Sequence, residues 1–216
     1  VEKRTIAKLP PPLTHPVVPH LEAIHDRGGV EVMRGCTRGC RFCQAGYVYR
    51  PVRERPPDEV VNAVGEILRN TGYEEISLLS LSTADYTHVR EVVEKIADRY
   101  HSERTVISLP SLRIDAFSVD LADTLARAQL KRQGFTFAPE AGSERMRRVI
   151  NKYVPEEVIL EATAQTARRG WNKLKFYFMV GLPTEEMEDV QAIVDLVGKV
   201  AARYQQTCGK RPRIRV

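Results

Sequence analysis

The chain has 216 residues, of which 43% are hydrophobic and 28% are charged, and it carries a net charge of +5. These values are typical of a soluble globular protein with one sizeable core, and they leave little room for two independent domains. No apolar run reaches the ~20 residues that a membrane span requires, and the segment Val1–Leu9 lacks the apolar stretch of a secretory signal peptide.

The first 28 residues are rich in proline and show no regular hydrophobic period. Pro10, Pro11, Pro12 and Pro16 predict an extended N-terminal arm or linker over residues 1–28. A regular pattern begins at Gly29, so residues 29–216 are interpreted as one core domain. Because the sequence stops at Val216 inside an apolar and basic alternation, we interpret it as a fragment of a longer protein.

From Gly29 onward, short apolar segments alternate with segments that have helical spacing. The predicted strands are Val30–Met33, Ile76–Leu81, Val106–Leu109, Phe135–Ala138, Leu174–Val180 and Arg213–Val216. The predicted helices run from about Pro57 to Gly72, Val89 to Tyr100, Leu121 to Leu125, Ser143 to Asn151, Pro155 to Arg169 and Met187 to Ala201. This alternation predicts an α/β fold with parallel strands, either an open doubly wound sheet or a curved, incomplete barrel. Functional residues are then expected at the carboxyl ends of the strands.

Three cysteines fall in the loop directly after the first predicted strand. Cys36, Cys40 and Cys43 have the spacing C-x3-C-x2-C. Three thiolates on one tight loop can hold three irons of a 4Fe–4S cubane, which leaves the fourth iron open to a small molecule. Gly35 and Gly39 allow the backbone to wrap closely around such a cluster.

Other interpretations of the cysteines remain open at this stage. A structural zinc ion needs four ligands, and His25 lies eleven residues before Cys36, so a Cys3His site is an alternative. Three clustered cysteines and the distant Cys208 do not form a disulfide framework, and they fit a reducing, cytoplasmic setting. Six arginines surround the cysteine loop and form either a solvated basic surface or a collar for an anionic cofactor or substrate. They are Arg34, Arg38, Arg41, Arg50, Arg53 and Arg55.

The cysteine motif, with the aromatic Phe42 before its last cysteine, resembles that of the radical S-adenosylmethionine superfamily. The segments Ala138–Arg145 and Phe178–Glu185 resemble the segments after the fourth and fifth strands in the subgroup of methylthiotransferases and cobalamin-associated enzymes. Within the superfamily, the segment Cys40–Gly46 most resembles a group of uncharacterised proteins that are often joined to further domains. The resemblance covers roughly Glu31–Val216, and it implies a parallel (β/α)6 partial barrel of the TIM type, truncated here at the sixth strand.

The resemblance also implies an activity. A reduced 4Fe–4S cluster would cleave S-adenosylmethionine to methionine and a 5′-deoxyadenosyl radical, which would abstract hydrogen from an unknown substrate. A one-electron reductant such as flavodoxin or ferredoxin and further domains of the same chain are the implied partners, with no membrane involved. A metal-binding scaffold without catalysis is the alternative function, and the absence of the family's Gly-Gly-Glu segment after the second strand favours it.

Individual residues take roles by the same resemblance. Cys36, Cys40 and Cys43 would hold the cluster, while Phe42 would lie by the adenine. Ser80, Ser82 and Thr83 stand where the family has Gly-Gly-Glu, a segment that contacts the methionine amino group, and Asp85 would support that loop or cap a helix.

The remaining implied contacts lie after later strands. Ser111 would contact the ribose or the methionine. Glu140 stands at the acidic ribose-binding position, with a helix N-terminal acid as the alternative. Lys152 would bind the methionine carboxylate, with an ordinary surface lysine as the alternative. Met179 and Gly181 would line the adenine through their backbone atoms.

Overall fold

A computed structural model describes residues 4–21, 23–100, 105–109, 124 and 135–216. Within these residues the chain forms two units. Of the described residues, 4–21, 23–37, 45–100, 105–109 and 124 belong to unit 1, and 38–44 and 135–216 belong to unit 2. Ser111 and the predicted helix residues Leu121, Ala122 and Leu125 lie outside the described residues.

Unit 1 contains five described strands and three described α-helices. The strands are β1 Gly28–Glu31, β2 Met33–Arg34, β3 Arg53–Glu54, β4 Glu75–Leu79 and β5 Val106–Ser108; the helices are α1 Gln44–Val48, α2 Pro57–Thr71 and α3 Val89–Arg99, with a 3-10 turn at Thr83–Asp85. Strands β1, β4 and β5 pair in parallel in that order, while β2 and β3 form a short antiparallel pair.

Helix α2 shows why this part of the sequence is helical. Proline precedes and opens the helix, and the acids Asp58 and Glu59 occupy its first turn, where the helix dipole favours negative charge. The helix ends at Gly72, whose φ of 72° is left-handed. Its apolar side packs with that of α3 to form one layer over the sheet. The buried residues of this layer and of the strands beneath it include Val60, Val64, Ile67, Val92, Ile96, Val30, Ile76, Leu78 and Ile107.

Unit 2 repeats the same layering. Its strands are β6 Phe135–Glu140, β7 Lys173–Phe178 and β8 Arg213–Arg215, which pair in parallel in that order, and its helices are α4 Glu144–Val149, α5 Glu156–Arg168 and α6 Met187–Cys208. One face of the sheet is apolar and packs in a core with residues of α5 and α6. This core includes Phe135, Phe137, Trp171, Leu174, Phe176, Ile159, Leu196, Val200 and Tyr204.

The predicted order of strands and helices is therefore observed wherever the chain is described. The structure differs at the edges of elements: the predicted first strand is divided into β1 and β2, and the second ends at Leu79 rather than Leu81. The β2–β3 pair and α1 carry no strong hydrophobic period, so the sequence did not predict them. No helix among the described residues is long and apolar enough to span a membrane.

The N-terminal arm has no helix or strand over residues 4–21. It contacts the rest of unit 1 through its backbone carbonyl groups. Arg53 Nη1 donates to the oxygen of Ile6 at 2.9 Å, and Arg55 Nη2 donates to that of Pro10 at 2.9 Å. Two of the clustered arginines thus have structural roles, and the limits of the arm and core domain stay a prediction.

Candidate functional site

The first half of the cysteine loop belongs to unit 1. Gly35 has a φ of 93°, and a Cβ atom at this position would lie 2.6 Å from the backbone oxygen of Tyr49. Any side chain at position 35 would therefore clash with the backbone of the segment that follows α1. Arg50 Nε donates to the carbonyl oxygen of Cys36 at 3.4 Å, so the entry to the loop is tied to the same segment.

The second half of the loop belongs to unit 2. The amide of Cys43 donates to the carbonyl of Cys40 at 3.1 Å, which closes a tight turn. The backbone amide of Arg41 donates to the oxygen of Ile150 at 2.9 Å, and Asn151 Nδ2 donates to the oxygen of Gly39 at 2.8 Å. These bonds fasten the turn to the residues that follow α4.

All three loop cysteines are free thiols, and Cys40 is buried. Among the described residues, no three His, Cys, Asp or Glu side chains converge closely enough to hold one metal ion. A cubane does not require such convergence, because each thiolate ligates a different iron atom. Soft thiolates are the ligands that iron–sulfur clusters take, so the donor set fits a three-cysteine cluster.

Four of the predicted cofactor residues come together in unit 2. Glu140 ends β6 with a left-handed φ of 68°, and its carboxylate pairs with Lys152 Nζ at 2.7 Å. Both side chains are largely buried, at 15% and 11% exposure respectively. The ammonium of Lys152 lies 6.0 Å from the centroid of the Phe42 ring, and the amide of Met179 donates to the oxygen of Glu140 at 2.8 Å.

Gly181 lies in the loop that follows β7, two residues after Met179. Its φ of 86° is left-handed, and its amide donates to the carboxylate of Glu185 at 2.6 Å. A Cβ atom on Gly181 would meet no atom within 4 Å, so the conformation rather than crowding favours glycine here. The loop is thus shaped by one acidic side chain that accepts a backbone hydrogen bond.

In unit 1 the predicted hydroxyls after β4 bond mainly to one another. Ser80 Oγ lies 3.0 Å from Thr83 Oγ1, and Ser82 Oγ donates to Asp85 at 2.6 Å. Ser82 and Thr83 are buried, so they shape the loop, and Asp85 supports it as an acceptor. Ser80 differs from them because it lines a cavity.

That cavity has a volume of about 490 Å³ and lies at the carboxyl ends of β1 and β4. Its polar wall includes an ion pair, in which Arg34 donates from Nε and Nη2 to the two carboxylate oxygens of Glu31, each at 2.7 Å. The hydrogen bond that Arg34 donates to Glu31 raises the pKa of Arg34. The lining residues are Glu31, Met33, Arg34, Gly35, Tyr49, Leu79, Ser80 and Leu81.

Sequence reasoning missed Arg147, whose side chain is fully buried in unit 2. Its Nη1 donates to the oxygens of Ala141 at 3.1 Å and Gly142 at 2.7 Å, and its Nε donates to that of Val154 at 2.7 Å. Burial lowers the pKa of Arg147, although a guanidinium stays charged. Arg147 thereby ties the residues that directly follow Glu140 to Val154, which lies two residues after Lys152. An arginine in a short basic helix gives no sequence signal for such burial.

A second missed residue, Asp189, anchors the start of α4. Ser143 caps that helix by accepting from the amide of Met146 at 3.1 Å, and its hydroxyl donates to Asp189 at 2.5 Å. Arg145 forms an ion pair with the same carboxylate. The hydrogen bond from Arg145, followed by that from Ser143, lowers the pKa of Asp189 to about 2.

This pKa predicts how acid affects the stability of the chain. The folded-state pKa of Asp189 lies below the unfolded value of about 3.9, so its stabilisation is complete above about pH 4 and is lost as the pH falls towards 2. We expect Asp189→Asn to cost roughly 1–3 kcal/mol at pH 7. The difference from wild type should shrink below about pH 4.

Urea denaturation at pH 7, 4 and 3 would measure this dependence. Asp195→Asn is the matched control, because Asp195 is an exposed residue of the same helix. A cost for Asp189→Asn that stayed constant across these pH values would contradict the assigned ionic role.

Comparison with known proteins decides the family. The sequence profile of the radical SAM superfamily matches residues 30–197, most of the chain. The chain belongs to the radical SAM superfamily. Its members use a 4Fe–4S cluster and S-adenosylmethionine, in agreement with the cofactors predicted from the cysteine motif.

Relatives of this radical SAM chain are longer proteins. An uncharacterised protein of Methanocaldococcus jannaschii is 37% identical over 171 residues, which cover 79% of this chain and 36% of that protein. A tRNA-2-methylthio-N(6)-dimethylallyladenosine synthase of Desulforamulus reducens is 27% identical over 177 residues, covering 79% of this chain and 39% of the synthase. The chain thus spans little more than a third of the length of these relatives.

Solved structures share the fold. The radical S-adenosylmethionine methyltransferase TsrM of Kitasatospora setae superposes with a TM-score of 0.68 at 17% identity, covering 81% of this chain and 34% of TsrM. Coproporphyrinogen III oxidase of Escherichia coli gives a TM-score of 0.58 at 13% identity, covering 81% of this chain and 41% of the oxidase. The predicted α/β radical SAM fold with parallel strands is confirmed.

Proposed function

We propose that this chain is the catalytic core of a radical SAM enzyme, with a 4Fe–4S cluster held by Cys36, Cys40 and Cys43. The observation that carries the proposal is the C-x3-C-x2-C loop after the first strands of a chain that belongs to this superfamily. When bound and reduced, the cofactors supply a 5′-deoxyadenosyl radical that abstracts hydrogen from the substrate. Family membership favours this activity over a metal-binding scaffold.

The residues of unit 2 orient the cofactor in this proposal. Glu140 accepts a hydrogen bond from a ribose hydroxyl, and Lys152 pairs with the methionine carboxylate. Their ion pair, 2.7 Å long and largely buried, holds the two side chains next to each other before the ligand binds. Phe42 lies near the ammonium of Lys152 and offers its aromatic face to the adenine. The backbone atoms of Met179 and Gly181 border the adenine.

In the same proposal, the residues that follow β4 are assigned to the methionine amino group. Ser80 lines the cavity at the ends of β1 and β4 and offers its hydroxyl to the amino group. Ser82 and Thr83 are buried and hold the shape of that loop, so they act through it. Ser111, which lies outside the described residues, completes the predicted set.

The proposal also covers the partners of the enzyme and its location in the cell. A one-electron reductant such as flavodoxin or ferredoxin supplies the electron, and further domains of a longer protein supply the rest of the substrate pocket. The much greater length of the relatives supports the presence of such domains. Free cysteines support a reducing, cytoplasmic location.

Reductive cleavage of S-adenosylmethionine tests the function directly. Anaerobically reconstituted protein, mixed with a strong one-electron reductant and S-adenosylmethionine, should release methionine and 5′-deoxyadenosine slowly without any substrate. Chromatography with mass detection measures both products, and the same mixture without reductant is the control. Protein that assembles the cluster and binds S-adenosylmethionine but forms no 5′-deoxyadenosine would support the scaffold instead.

A further inference from the structure

The sheet of unit 2 has a strongly basic face opposite its core. Side chains alternate along a strand, and the buried Leu174 and Phe176 of β7 fill the helix-covered face. The residues between and beside them, Lys173, Lys175 and Tyr177, are exposed. On β8, Arg213 and Arg215 are exposed in the same alternation. Four cations therefore share one face of two neighbouring strands.

The register places like charges directly opposite one another. Lys173 is the partner of Arg213, and Lys175 is the partner of Arg215. Like charges opposite each other across two strands are destabilising, and parallel strands usually carry apolar side chains on both faces. The sheet thus carries two repulsive pairs where its fold class favours apolar contacts. An anionic ligand would relieve this repulsion.

The described residues do not neutralise this face. Thr136 and Ala138 precede Glu140 on the neighbouring strand β6, and the carboxylate of Glu140 pairs with Lys152. No described carboxylate forms an ion pair with any of the four cations. The described contact of Lys175 is with an aromatic ring, since its ammonium lies 4.5 Å from the centroid of Tyr177.

We propose that this face binds the diphosphate group of a small organic substrate. Neighbouring strands lie about 4.8 Å apart and alternate residues about 6.6 Å apart, so the four cations form a compact rectangle. A diphosphate concentrates up to three or four negative charges in a group of matching size. Arg213 and Arg215 offer forked donors to its oxygens, and the two lysines offer point charges.

A nucleic-acid strand fits the patch less well than a diphosphate. A strand carries one charge per nucleotide, so only one or two of its phosphates would meet a rectangle of this size. Proteins that bind single strands also use a series of aromatic side chains for stacking, whereas Tyr177 is the one aromatic residue on the described part of this face.

The role of the site rests on the proposed function, because the diphosphate would anchor the substrate from which hydrogen is removed. The ability of this face to bind a diphosphate does not depend on the proposed function. The four cations lie on β7 and β8, whereas the cluster ligands lie in the loop that begins after β2. Diphosphate binding can therefore be measured on protein that contains neither cluster nor S-adenosylmethionine.

Calorimetry with inorganic pyrophosphate on the cluster-free chain tests the proposal. The double variant Lys175→Gln, Arg215→Gln should bind pyrophosphate about 100-fold more weakly, and each single variant about tenfold more weakly. The matched control is Lys199→Gln, Arg203→Gln, which removes the same charge from α6, where both cations pair with glutamates of α5. The control should bind within about twofold of wild type.

A thermal melt of the ligand-free proteins provides a second measurement. Because the substitutions remove repulsion, the double variant should melt at or above the wild-type temperature, and pyrophosphate should raise the Tm of wild type more than that of the variant. A lower melting temperature without ligand would show that the cations form structural ion pairs and would overturn the proposal.

Binding comparisons identify the source of the diphosphate. A nucleoside diphosphate and an alkyl diphosphate should each bind at least as tightly as inorganic phosphate, and the tighter of the two names the class of substrate. Pyrophosphate binding unchanged in the double variant would refute the site. A twelve-nucleotide RNA that bound more than tenfold tighter than every diphosphate, and lost this affinity in the double variant, would assign the face to nucleic acid instead.

Discussion

Anaerobic reconstitution should yield about four irons and four sulfides per chain, and replacing any one of Cys36, Cys40 or Cys43 by Ala should remove most of them. In the proposed site each thiolate would ligate a different iron, so the loss of one would leave an iron without its protein ligand. The turn from Cys40 to Cys43 is held by backbone bonds to the residues after α4, so substitution of a cysteine leaves that turn in place. The expected effect is therefore loss of the cluster rather than loss of the fold.

Iron and sulfide analysis, together with the visible absorbance of the brown protein, measures this effect. Cys208→Ala is the matched control, because Cys208 ends α6 and its thiol donates to the oxygen of Tyr204 at 3.5 Å. Removal of the iron by Cys208→Ala alone would contradict the ligand assignment. Full iron content in a Cys40→Ala variant would do the same.

The second large effect is expected at Arg147. Arg147→Met should lower the free energy of unfolding by about 3–5 kcal/mol, because it leaves buried carbonyl oxygens without their donor. Those oxygens belong to Ala141 and Gly142, which directly follow Glu140, and to Val154, which lies two residues after Lys152. Affinity for S-adenosylmethionine should fall as well, since both charged groups lose their support.

Urea denaturation measures the stability, and calorimetry on the reconstituted protein measures the affinity. Arg148→Met is the matched control, since its side chain is 64% exposed and pairs with Glu144 on the surface of α4. It should change stability by less than about 1 kcal/mol. Equal costs for the two substitutions would contradict the structural role of Arg147.

The sequence by itself determined the α/β class, the order of the elements and the cysteine motif. These features are local: a helical apolar stripe, a short apolar strand and three cysteines within eight residues can all be read along the chain. The family resemblance extended this reading to Phe42, Glu140, Lys152 and Met179. Tertiary structure placed these four residues together in unit 2, and their roles at a cofactor stay a prediction.

Only the tertiary structure decided which charged residues are buried and with whom they pair. Arg147 and Arg148 are adjacent and identical in type, yet one is fully buried and the other exposed. The difference depends on three carbonyl groups that the fold brings around Arg147. In the same way, the basic face of β7 and β8 exists only because the strand register aligns Lys173 with Arg213 and Lys175 with Arg215. Burial and cross-strand register depend on residues distant in sequence, and local pattern does not encode them.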